Sequence, residues 1–214
     1  MDNGDALAGV AYGLFEIYLN SGLRACGPYL FERVENQEDF QEDFEEIFEK
    51  FQEDYPQLAG SLLDCFGSTA NTYGMLCSGE GVIPSRTTQM YWIVQDAPGI
   101  RPVESDDEKM GKWLIFISSE EADKIWKKIR GATCAGTLGI SAKASTAKEN
   151  PESRDDRVVI FVYTSDWEDK KDVMRVREEL HQLGVTWRIG YKRNIETYQG
   201  KYSENGKKVT YYSV

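Results

Sequence analysis

The run KWLIFIS (residues 112–118) decides the fold. It is short, almost wholly apolar and rich in β-formers, the pattern of a buried strand. SSEEADKIWKKIRG (118–131) follows at once. Ser118 and Glu121 have capping-box spacing, and Ala122, Ile125, Trp126 and Ile129 share one helical face. Gly131 is placed to stop that helix. GTLGISAKAS (136–145) and RVVIFVYT (157–164) read as further strands, joined by the polar segment TAKENPESRDD. Residues 168–183 read as a helix with Val173, Val176, Leu180 and Leu183 inward, ended by Gly184. VTWRIGYK (185–192) alternates, with Val185, Trp187, Ile189 and Tyr191 on one face and Thr186, Arg188 and Lys192 on the other. Upstream, QMYWIVQ (89–95) reads as a strand. Downstream, Asn205-Gly206 predicts a hairpin in the tail. Residues 89–214 are thus expected to form an α+β domain: a curved, mostly antiparallel sheet backed on one face by two helices.

The first 80 residues have a different grammar. They hold 16 acidic and 3 basic residues, whereas the rest of the chain holds 20 and 22. This acidic helical segment (1–80) is expected to be a separate part. Residues 5–20 read as a helix with Leu7, Val10, Ala11, Leu14, Ile17 and Tyr18 inward. Residues 36–55 read as a second, with a largely aromatic stripe of Phe40, Phe44, Ile47, Phe48, Phe51 and Tyr55 that needs a partner surface. Residues 57–66 predict a short helix, and 67–88 a loop. On the back of the aromatic helix, Glu42, Asp43, Glu46 and Glu49 offer an acidic face to a basic protein partner, or one that imitates nucleic acid.

Composition narrows the chemistry. No apolar run approaches the roughly 20 residues that span a bilayer, and MDNGDALAGV lacks the basic start of a signal peptide. The expectation is a cytoplasmic protein without a membrane partner. Four cysteines without C-x-x-C spacing and a single histidine, His181, leave no expected metal site or cofactor. A net charge of −11 argues against long duplex nucleic acid as a ligand.

Lysines among small residues mark the candidate site. In GTLGISAKASTAK (136–148), Gly139, Ser141 and Ala142 would let a ligand approach the backbone. Ser141 and Lys143, two apart on a strand, point the same way. Lys112 can join them from the neighbouring strand. With Lys148, Arg157 and the hydroxyls of Ser145 and Thr146, these residues suit a phosphate. Trp113, Trp126 and Trp187 read as core. Trp92 and Trp167, near element ends, are the candidate platforms for a ligand ring.

MGKWLIF, LGISAKASTAK and VYTSDWEDKKDVMRVREEL resemble the basophilic-leukaemia-expressed protein family over residues 89–212. That family is similar in fold to the mRNA cap-binding translation initiation factor 4E, and some members carry the label phosphothreonine lyase. The resemblance implies a base-binding acid at Glu104 and phosphate-binding residues at Lys112, Ser141 and Lys143. Val103 stands where cap-binding proteins have a stacking tryptophan, and Ser141 replaces one of two basic residues. Both departures count against classical cap binding. The leading expectation is a non-catalytic domain for a small phosphorylated ligand, such as a nucleotide or an RNA end. The alternatives are phosphate elimination from phosphothreonine, with Lys143 as base and His181 as acid, and an interaction module built on the acidic helix.

Overall fold

The computed structural model describes residues 3–100, 108–150, 156–198 and 210–214. The chain forms two compact units, one of residues 1–91 and 146–150, the other of residues 92–145 and 151–214.

The first unit is helical: α1 (Asn3–Cys26), α2 (Leu30–Asn36), α3 (Gln41–Asp54), α4 (Pro56–Phe66) and α5 (Thr69–Cys77). The aromatic stripe of α3 finds its partner in α1. Phe15 is fully buried, with its ring 5.9, 5.3 and 5.1 Å from those of Phe44, Phe48 and Phe51. At Gly22 an added Cβ would lie 2.7 Å from Ile47, so the missing side chain lets the two helices approach. The helix accordingly runs through Gly22 rather than ending before it.

The face expected to turn inward on α1 is the wrong one. Tyr12, Phe15, Leu19 and Leu23 are buried, while Leu7, Val10, Leu14 and Ile17 are exposed. Ala11 alone of the expected set is fully buried. The helix is apolar nearly all round, with Glu16 the sole charge between Ala6 and Leu23, so periodicity alone could not choose a side. The aromatic α3 chooses it, because rings bury the most area. The segment expected as a loop contains α5, whose N-cap Ser68 accepts a hydrogen bond from the Asn71 amide.

Glu16 makes this unit sensitive to pH. Burial pushes its carboxyl up from 4.5 to about 7, and a hydrogen bond from Asn20 acts the other way. The folded chain therefore holds a proton that the unfolded chain releases between those values. Stability is greatest below the window and falls as pH rises through it. Glu16→Gln is expected to flatten that slope and to raise stability at pH 8 by about 1–2 kcal/mol, measured by urea unfolding across pH.

The second unit holds β1 (Trp92–Asp96), β2 (Gly111–Ile117), α6 (Ser119–Cys134), β3 (Ser141–Ser145), β4 (Val158–Thr164), α7 (Lys170–Gln182), β5 (Gly190–Arg193), α8 (Asn194–Tyr198) and β6 (Tyr212–Ser213). Among the described residues, six strands form one sheet in the order β1-β3-β4-β2-β5-β6, with each pair antiparallel. The α+β expectation holds. One face is covered: Trp113, Ile115, Ala142, Ile160 and Val162 are buried with the inner faces of α6 and α7. Trp113 Nε1 donates to the Val173 carbonyl across this layer at 3.1 Å.

Two local expectations fail here. Of VTWRIGYK, only the end pairs as a strand, and Trp187 is 36% exposed rather than core. Arg177 on α7 donates to the carbonyls of Val185 and Trp187, which ties this stretch to the helix instead of a ladder. Gly131 does not stop α6, which continues to Cys134. The hairpin expected at Asn205-Gly206 lies outside the described residues.

Candidate functional site

Strand register builds the site. On the face of the sheet opposite α6 and α7, Asp96, Ser141, Tyr163, Lys112 and Lys192 lie opposite one another across five strands. The next row is Val94, Lys143, Phe161, Leu114 and Gly190. Adjacent strands are about 4.8 Å apart, so Lys112 and Lys192 are direct neighbours and Lys143 lies two strands from Lys112, in the next row. Alternation puts them there: each flanks a residue of the covered face, Lys143 between Ala142 and Ala144, Lys112 beside Trp113, Lys192 beside Tyr191.

Aromatic rings floor these rows. Trp92 stacks on Phe161, with centroids 5.4 Å apart and planes 27° from parallel. Lys143 Nζ lies 4.2 Å from the Trp92 centroid and 5.4 Å from that of Phe161. Lys112 Nζ lies 5.3 Å from Phe161 and 5.4 Å from Tyr163. Two ammonium groups thus converge over one ring, a contact that favours the cation. Lys112 and Lys192 are only 8% and 7% exposed.

Burial lowers the pKa of Lys143. It lowers that of Lys192 as well, with Glu196 opposing. None of the ion pairs between described residues includes Lys143. A partly desolvated lysine without a carboxylate gains most from an incoming anion.

The other expected residues fall elsewhere. Arg157 stacks on Phe116 at 5.1 Å, beyond the end of both rows. Lys148 belongs to the first unit, where it donates to the Gln89 carbonyl at 2.8 Å and covers the Tyr91 ring. Thr146, in the same unit, spends its hydroxyl on the Met90 carbonyl. Ser145 accepts from the Val159 amide. Glu104 lies outside the described residues. His181 is exposed on α7, the helix that packs on the covered face, so the sheet separates it from Lys143. Trp167 holds Arg193 at 4.8 Å and meets Tyr211 edge-on. On α3, Glu42 and Glu49 are exposed, Asp43 pairs with Arg33 at 2.7 Å, and Glu46 pairs with Lys50 at 2.6 Å.

Sequence reasoning missed Lys192, Phe161 and Tyr163. The signal was present in alternation. Lys192 falls on the polar face of its alternating stretch, and Phe161 and Tyr163 alternate with the buried Ile160 and Val162. What was missing was the register that sets Lys112 against both Tyr163 and Lys192. Among the described residues, no group of three or more His, Cys, Asp or Glu side chains could hold a metal ion. No described helix is long and apolar enough to cross a membrane.

Residues 106–200 match a known protein family. Its description is basophilic leukemia-expressed protein Bles03. This meets the resemblance read from MGKWLIF and LGISAKASTAK, over a shorter span than residues 89–212. The Bles03 match contains β2, β3, β4 and β5, hence all three lysines, but not Trp92. Among solved structures, the chain is similar to C. elegans eIF4E-3 in complex with the 4E-binding protein Mextli and a cap analog. That similarity has 15% identity, covers 57% of this chain and 68% of the other, and has a TM-score of 0.41. It is also similar to Ascaris suum eIF4E-3 with an m2,2,7G cap, at 17% identity, the same two coverages and a TM-score of 0.40.

Proposed function

We propose that the second unit binds a small phosphate-bearing ligand, a nucleotide or another phosphorylated molecule, on the face of its sheet opposite α6 and α7. The observation that supports this reading is the convergence of Lys143 and Lys112 over Phe161, with Lys192 directly opposite Lys112. Lysine suits phosphate as a compact charge with three donors. The aromatic floor keeps water from the far side of each ammonium group and strengthens its field. A small ligand fits a net charge of −11, because it needs only the local patch.

The reading is tested by thermal shift with nucleotides, pyrophosphate and phosphothreonine peptides. A ligand that binds only the folded chain raises its stability, by about 2.7 kcal/mol at a hundred times Kd. Lys143→Ala and Lys112→Ala are each expected to weaken binding by about 10- to 100-fold, the size of one charge-assisted contact. The phosphopeptide is expected back with its phosphate intact. Absence of any shift, or a shift that survives both substitutions, sinks the reading. Loss of phosphate from the peptide would replace binding with elimination.

A further inference from the structure

Four large apolar side chains of α1 face water together. Leu7, Val10, Leu14 and Ile17 are 50%, 57%, 45% and 65% exposed. Apolar residues scattered singly on a surface are ordinary. These recur at intervals of three, four and three residues, so they form one stripe about 15 Å long. The core of the unit is filled from the other side of the helix, by Phe15 and its neighbours. Beside the stripe, a Cβ added at Gly13 would meet nothing within 4 Å, which leaves room for a second helix to come close.

We propose that the chain forms a homodimer through this stripe, with α1 packed antiparallel against α1 of a second copy. Symmetry favours that occupant. Intervals of three, four and three read the same in both directions, so a twofold axis sets Leu7 against the partner's Ile17 and Val10 against the partner's Leu14. Charge favours it too. Residues 1–80 hold 16 acidic and 3 basic residues, so two copies repel each other over most of this unit. From Leu7 to Leu23 the helix has one ionisable carboxyl, Glu16, and burial favours its neutral form. The ends of α1 then fix the direction. The sequence puts Asp5 in its first turn, and the exposed Arg24 stands in its last. Antiparallel packing brings each Arg24 toward the partner's acidic first turn, whereas parallel packing sets like charges side by side. A stripe of four side chains is small against the roughly 800 Å² that each partner gives a standard interface, so the dimer is weak and set by concentration.

The test is sedimentation equilibrium of the full chain from about 1 µM to about 1 mM. The mass is expected to rise with concentration from one chain to two. Leu14→Glu puts a charge in the middle of the stripe and is expected to stay monomeric throughout. Its urea midpoint, measured in dilute solution where the parent too is monomeric, should match the parent's. Direction is read from a charge pair. Leu7→Lys and Ile17→Glu are each expected to be monomeric alone and to dimerise when mixed. Antiparallel packing sets the new amine of one chain against the new carboxylate of the other, and parallel packing does not. Lys112→Ala and Lys143→Ala are expected to leave the mass unchanged, so this interface and the phosphate site are tested apart. A parent chain that stays monomeric, or a dimer that survives Leu14→Glu, overturns the interface. A dimer lost in every stripe variant and not restored by mixing overturns the antiparallel pairing. A fall in the Leu14→Glu midpoint as large as a core substitution gives would mean that Leu14 is not on the surface, and the interface falls with it.

Discussion

Phe15→Ala is expected to destabilise the first unit by about 3–5 kcal/mol, the range for deleting a buried ring and leaving a cavity. Phe15 has no exposed surface and touches three rings of α3 edge-on. Edge-to-face pairs add about 0.5–1.5 kcal/mol each beyond area burial. The three neighbours are themselves buried, and α3 is fixed by its own hydrogen bonds, so the cavity cannot close cheaply. Leu14, one residue away, is 45% exposed, and Leu14→Ala is expected to cost under about 1 kcal/mol. Urea unfolding of the pair decides which face of α1 turns inward. Equal losses would mean that the helix presents Leu14 to the core, as periodicity alone had suggested.

That contrast shows where the chain could be read and where it could not. α3 was legible because Phe44, Phe48 and Phe51 lie among glutamates, so only one face can be buried. α1 was not, because leucines, valine and isoleucine surround it and the choice of side belongs to its partner. In the second unit, β2 and β4 were legible from their apolar runs and α6 from its inner face. The stretch before β5 was misread because its alternation is real but its carbonyls bond to Arg177 instead of a strand. The site was half legible for a related reason. A single strand shows that Ser141 and Lys143 share a face. Only the pairing of four strands shows that Tyr163, Lys112 and Lys192 share it too.

Gly139→Ala is expected to destabilise the second unit by about 2–4 kcal/mol and to disturb the placement of Lys143 with it. Read alone, Gly139 and Ala142 suggested a surface left bare for a ligand. The structure gives both another reason. Ala142 is fully buried on the covered face. A Cβ on Gly139 would lie 2.3 Å from the Tyr163 carbonyl oxygen and 3.0 Å from Val162 Cγ1. The same carbonyl accepts the Ile140 amide at 3.0 Å, the bond that leads the chain into β3. Backbone cannot swing aside as a side chain can, so either this bond breaks or β3 shifts against β4. A shift would part Lys143 from Phe161, its partner in register. Ser141→Ala, on the face of the same strand opposite α6 and α7, removes a hydroxyl without a clash and serves as the control. Its stability should stay within about 0.5 kcal/mol of the parent. If the glycine variant unfolds at a lower urea concentration and also loses the pyrophosphate shift under folded conditions, the β3–β4 junction positions the site. If stability falls and the shift is kept, the lysines do not depend on that junction. An unchanged midpoint would mean that the strands lie further apart at Gly139 than the 2.3 Å approach implies.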